Sequence, residues 1–206
     1  MAFTTETAKK WIKNSADILE QEKESLNQLD QALGDGDHGL NMARGFREAA
    51  NGVDNLESIG AVLRAVSQSL ISKVGGASGP LYGTAFLKMS RPLKELEEAG
   101  MEQLGEAFHE AAKGMMQRGK ADIGDKTLID IWAPVAQLLQ EKKEAAAVDE
   151  IRDAAKEALE KSKDLEAKKG RASYYKERSV GHIDPGAQST FYIIEALVQA
   201  IKEEEL

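Results

Sequence analysis

Residues 8–39 read AKKWIKNSADILEQEKESLNQLDQALGDGDHG, and this stretch decides the fold. Ala8, Trp11, Ile12, Ser15, Leu19, Leu26, Leu29 and Leu33 recur at i, i+3, i+4 and i+7, the period of a helix with one apolar face. The pattern stops at Gly34, a residue type that commonly ends helices. Asp30, Asp35 and Asp37 then crowd together with three glycines and His38. A long amphipathic helix therefore gives way to a polar loop of unusual charge density.

The same alternation runs along the rest of the chain. Ile59, Val62, Leu63, Val66 and Leu70 form a second helical stripe, and Met101, Leu104, Phe108, Ala111 and Met115 a third. Val148, Ile151, Ala155, Leu159, Ser162 and Leu165 form a fourth, and Phe191, Ile194, Leu197, Val198 and Ile201 close the chain. Residues 128–139, LIDIWAPVAQLL, are apolar nearly all round, which predicts a buried central helix that Pro134 kinks or breaks. No alternating β-branched run stands out. Glycine-rich segments at 34–39, 75–83, 119–125 and 181–186 separate the stripes. The expectation is one all-α domain over residues 1–206, a helix bundle with its irregular loops gathered at one end.

Bulk properties exclude several function classes. With 27 Lys and Arg against 35 Asp and Glu the net charge is −8, and no long basic run offers a footprint for nucleic acid. The absence of cysteine rules out disulfides and thiol chemistry. No apolar run reaches membrane-spanning length, and MAFTTETAKKW lacks the apolar core of a signal peptide, so a cytoplasmic protein is expected.

Three close carboxylates repel one another unless a cation sits among them, and their hard oxygens suit Mg²⁺, an ion that commonly accompanies phosphate. The competing reading is a solvated turn whose aspartates make local hydrogen bonds. An EF-hand fails on spacing: counted from Asp35, position six is Leu40 instead of glycine and position twelve is Phe46 instead of glutamate. Alternation places Asp35 and Asp37 on one side of an extended loop. His38 and Asn41 open the next helix, whose N-terminus offers N–H groups to phosphate. His38 either hydrogen-bonds a ligand or simply caps that helix.

Gly75-Gly-Ala-Ser-Gly-Pro-Leu-Tyr-Gly83 reads either as a phosphate cradle or as a tight helix connection; it is no Walker A motif, because no Gly-Lys-Ser/Thr follows. Gly124-Asp-Lys-Thr-Leu-Ile-Asp130 sets Lys126 and Thr127 before the apolar helix, with Asp125 a candidate N-cap. Asp130, within that helix, is either paired or functional. Arg171 and Arg178 are candidates for bidentate contact with phosphate. Asp184-Pro-Gly186 reads as a turn that starts a helix.

LDQALGDGDHGLNM, GGASGP, RGKADIGDKTLID and GRASYYKERSVGHIDPGA occur in this order. Together they closely resemble the DhaL family, the nucleotide-binding subunits of bacterial dihydroxyacetone kinases, from about residue 5 to the end. That resemblance implies an antiparallel eight-helix barrel with a nucleotide at one end. It implies two Mg²⁺ ions held by Asp30, Asp35 and Asp37 and by the phosphates of ADP or ATP. His38, Gly39, Leu40 and Asn41 then approach the nucleotide, and Ala77, Ser78 and Gly79 line its phosphates. Gly119, Thr127 and Leu128 form the nucleoside wall, and Arg171, Asp184, Pro185 and Gly186 complete the site. His38 stands where related fatty-acid kinase domains carry threonine. The implied partners are a DhaK-type subunit that binds the sugar, a DhaM-type phosphoprotein that recharges bound ADP, and a transcription regulator as a further contact. Alternatives are an ATP-exchanging kinase subunit for dihydroxyacetone or a related ketose, and a nucleotide-dependent regulator.

Overall fold

The computed structural model describes residues 2–204. The opening stripe folds as α1 (Thr5–Gln21) and α2 (Lys23–Leu33), which form one rod bent at Glu22, whose N–H still reaches the Ile18 carbonyl. Seven further helices follow: α3 (His38–Asn51), α4 (Ile59–Lys73), α5 (Ser78–Met89), α6 (Met101–Gly119), α7 (Ile129–Lys142), α8 (Val148–Ser162) and α9 (Pro185–Glu204). Each rod packs against the next in chain order, and α9 returns to pack on α1. Among the described residues, nine α-helical segments thus make an antiparallel ring of eight staves.

Parity then places the loops. Every second connection falls at the same end, so 34–37, 74–77, 120–128 and the long strap 163–184 share one end of the ring. All four carry the glycine-rich segments. The opposite end holds the connections at 52–58, 90–100 and 143–147. There β1 (Ala2–Thr4) pairs antiparallel with β2 (Glu98–Gly100), Phe3 opposite Ala99. These three-residue strands are too short to leave an alternating pattern in the sequence. Thr4 caps α1, accepting the Thr7 N–H at 3.0 Å.

The core is aromatic and central. Trp11, Phe46, Phe86, Phe108 and Trp132, from five different staves, are all fully buried. Phe108 and Trp132 stack at 4.8 Å between centroids, and Phe86 meets Trp11 at 5.3 Å and Trp132 edge-on at 6.4 Å. Both indole N–H groups are satisfied by backbone, Trp11 on Ile193 O at 2.8 Å and Trp132 on Phe108 O at 3.1 Å. The apolar run around Trp132 is a stave of the ring, not a rod through its centre. Helix α7 continues through Pro134 without a break. The stripe ending at Leu165 stops being helical at Ser162. Among the described residues no helix is long and apolar enough to cross a membrane.

Phe86 contacts three other aromatic rings. Phe86→Ala is expected to lower the unfolding free energy by about 3–5 kcal/mol, read from the midpoint of a urea titration.

Candidate functional site

The acidic loop is folded around Asp30, the buried member of the trio. One of its oxygens, Oδ2, accepts the backbone N–H of Asp37 at 3.0 Å and of His38 at 3.1 Å. Asp35 and Asp37 stay exposed, and one oxygen from each of the three carboxylates lies within 4.8 Å of the others. The loop is turned, not extended, because Gly36 adopts φ 79°. Arg171 reaches across from the strap to form an ion pair with Asp35. Local desolvation is the largest single influence on Asp35 and favours its neutral form. The charge and hydrogen bond of Arg171 help outweigh it, and the carboxyl ends below its usual range.

Four helices, α3, α5, α7 and α9, begin at this end, and three have their first N–H groups occupied. Asp30 takes two at α3, and Asn27 Oδ1 takes that of Leu40 at 3.1 Å. Thr127 Oγ1 takes the Ile129 N–H at 3.1 Å at the start of α7, while Asp130 takes the Thr127 N–H at 2.7 Å in the turn before it, and Asp184 takes that of Ala187 at 2.8 Å in α9. None of α3, α5 and α7 is capped by its own N-cap side chain, but in α5, which starts after Ala77, no side chain from elsewhere takes the first N–H groups either. At the start of α3, expected from sequence to face phosphate, the His38 and Leu40 N–H groups are bonded within the protein, whereas at the start of α5 the N–H groups have no side-chain acceptor.

His38 is buried and joins a polar network under the mouth. Its Nε2 lies 2.8 Å from Ser189 Oγ and its Nδ1 3.3 Å from Ser78 Oγ. Ser189 and Thr190 both reach Gly186 O, at 3.1 and 2.8 Å, and Tyr82 OH bonds the same carbonyl at 3.0 Å. With the Ser189 hydrogen on Gly186 O, Nε2 of His38 donates and Nδ1 accepts from Ser78. Burial pulls the imidazole pKa down to about 4 against the opposing charge of Asp37, so His38 is neutral at pH 7.

The third and fourth segments lock together. Asp130 Oδ1 accepts the Gly124 N–H at 2.6 Å while Oδ2 takes Thr127, so this carboxylate braces the turn before α7 instead of forming a buried ion pair. Asp125 accepts the Asp122 N–H at 2.9 Å. Asp184 is the N-cap of α9 with Pro185 at the first helical position. Burial pushes the Asp184 carboxyl up to about 6; the Ala187 N–H and Lys126 oppose this and Asp130 adds to it.

These groups enclose one cavity of about 700 Å³, the size of a site for a small cofactor. It is lined by Asp30, Asp35, Asp37, His38, Asn41, Ala77, Ser78, Gly119, Thr127, Leu128, Arg171, Asp184, Pro185 and Gly186. Gly39, Leu40 and Gly79 fall outside the lining. Gly39 lets α3 pass against α2, where an added Cβ would sit 2.0 Å from Lys23 O, and Gly79 packs likewise on Val74 O at 2.3 Å. Leu40 points out into solvent. Arg178 also stands away, over the Tyr175 ring at 5.7 Å. Residues 78–83 are helical, so the glycine-rich segment 75–83 is part cradle and part helix connection. Sequence reasoning missed Arg118 and Lys169, cations of the lining whose only signal was their place beside Gly119 and Gly170. It also missed Tyr82 and Ser189, which lie inside ordinary helical pattern.

The DAK2 domain description matches residues 32–199. The chain belongs to the DAK2 domain family. This DAK2 domain is 42% identical over 201 residues to a Listeria innocua protein described as the ADP-binding subunit DhaL of a PEP-dependent dihydroxyacetone kinase; the match covers 97% of this chain and 98% of that one. The Escherichia coli K12 subunit of the same description is 39% identical, with 94% and 95% covered. The crystal structure of the C. freundii dihydroxyacetone kinase with AMP-PNP and Mg²⁺ superposes with a TM-score of 0.74 at 25% identity. That match covers 93% of this DAK2 domain but only 33% of the larger kinase.

A carboxyl pKa raised in the native state means that the folded form binds the proton more tightly between about pH 4 and 6. Stability from Asp184 is therefore gained as pH falls through 6 and lost as it rises. Asp184→Asn keeps the acceptor for Ala187 and removes the charge. In ligand-free protein it is expected to gain about 2–3 kcal/mol over the parent at pH 8 relative to pH 4, measured by urea unfolding at both pH values.

Proposed function

We propose that the chain is the ADP-binding subunit of a phosphoenolpyruvate-dependent dihydroxyacetone kinase. One observation carries the reading. The carboxylate trio and the uncapped start of α5 line one cavity, in a chain 42% identical to such a subunit over nearly its whole length. Three hard oxygen donors within 4.8 Å, two of them on exposed residues, fit Mg²⁺, and the resemblance to the family implies two such ions shared with phosphate. When bound, Mg²⁺ supplies the charge neutralisation that phosphoryl transfer requires.

The chain's own residues position the nucleotide. The N–H groups at Ala77 and Ser78 receive phosphate oxygens. Neutral His38 holds Ser78 in place. Gly119, Thr127 and Leu128 form the wall for the nucleoside. Arg171 closes over the phosphates from the strap, and Asp184-Pro185-Gly186 forms the floor. Nothing in the cavity is an activated nucleophile, since the only lining histidine is neutral and engaged on both nitrogens. The sugar is therefore held by a DhaK-type partner, and ADP is recharged in place by a DhaM-type phosphoprotein. The exposed large apolar side chains among the described residues, Leu40, Ile71, Ile123, Tyr174 and Val180, all belong to the mouth end, where a partner carrying the sugar must dock.

Asp35→Ala is expected to weaken Mg²⁺-dependent ADP binding at least about 100-fold in calorimetry, and an unchanged affinity would refute the Mg²⁺ assignment. ADP is expected to survive extensive dialysis of the purified protein, with turnover only when a phosphoprotein donor is supplied. Ready exchange and turnover with ATP alone would point to the ATP-exchanging kinase instead.

A further inference from the structure

Lys126 is fully enclosed, 1% exposed, yet it lines no part of the cavity. Its backbone sits at φ 60°, a region that side chains other than glycine rarely occupy. Its Nζ donates to three carbonyls: Lys163 at 3.0 Å, Leu165 at 2.9 Å and Ser179 at 2.8 Å. An ammonium has three N–H donors, and each has a partner. The acceptors lie at the two ends of the strap. Lys163 and Leu165 follow α8, and Ser179 stands before the return to α9.

Other bonds close the same neck. Gly181 N–H meets Lys163 O at 2.8 Å, and Ala167 N–H meets Ser179 Oγ at 2.9 Å. Between these closures residues 166–178 loop outward and bring Lys169, Arg171 and Ala172 to the cavity. The loop is tied once more to the turn before α7, where Lys168 N–H donates to Asp125 O at 3.0 Å. On its other side Lys126 is followed directly by Thr127 and Leu128, which line the cavity. One ammonium thus joins the cavity wall to the neck of the flap that crosses the mouth.

We propose that Lys126 is a positioning residue that clamps the neck of the strap, so that Arg171 is held across the mouth and bound Mg-nucleotide leaves slowly. This rests on the nucleotide reading above. Lys126 acts through Arg171 and touches no ligand itself.

Lys126→Met keeps an unbranched side chain and removes the donors. Below its melting temperature this variant is expected to release a fluorescent ADP analogue, in the presence of Mg²⁺, at least about ten-fold faster than the parent. Trypsin is expected to cut sooner within 166–178. In an Arg171→Ala background the same substitution is expected to add less than about two-fold, because both act through one arm. A lowered melting temperature with unchanged release, or fully additive losses in the double variant, would overturn the proposal. If Lys126→Met does not fold, amide exchange on the parent decides. The amides of Ala167, Lys168 and Gly181 should exchange with global unfolding; exchange as fast as an open loop overturns the clamp. A parent protein that binds no Mg-ADP refutes the nucleotide reading, while the trypsin and exchange results still judge the clamp.

Discussion

A ring of staves has to close, and the rest of this molecule depends on that closure. Helix α1 meets α9 along its length, and the buried Trp11 indole donates to Ile193 O at the seam. The ring of Trp11 also packs on Phe86 and Phe108 from the far side, so one side chain ties the seam to the centre. An eight-stave ring leaves a wide interior, and small aliphatic residues alone would fill it poorly. Two tryptophans and three phenylalanines fill it with few side chains and little rotamer entropy.

Closure with an even number of staves sends half the connections to one end. The four segments that carry chemistry are far apart in sequence, yet they meet without any special long-range contact having to bring them together. Four helix N-termini arrive there as well. Two aspartates, an asparagine and a threonine accept first-turn N–H groups of three, and at the fourth, α5, no side chain does. Hydrogen bonds from within the protein thus make the four termini unlike one another.

Much of this was legible in the sequence because helical period and glycine breaks are local signals. The stripes at 59–70, 101–115 and 191–201 lie within single helices, and the four breaks mark the four site connections. Helix α5 was harder: Gly79 and Gly83, which let it press against α4, look like loop residues when read alone. The strands at Phe3 and Ala99 were invisible, since three residues cannot show a period of two. In the site, the aspartate trio was readable from composition. That Asp30 caps α3, that Asp130 braces a turn, and that Lys126 spans three carbonyls depend on contacts between residues distant in space, which spacing does not encode.

Asp30 also divides its labour in a way that bears on binding. One oxygen is committed to the backbone of the loop, so the loop has its shape before any ligand arrives, and the conformational entropy of ordering it is charged to folding instead of to binding. What remains for an incoming cation is to displace water and to offset the crowding of like charges, which Arg171 partly relieves in its absence. A receptor built this way is rigid where it grips and negative where it waits. In the proposed Mg²⁺ site an incoming cation would have to free Asp35 from Arg171, but not to rebuild the backbone of the loop.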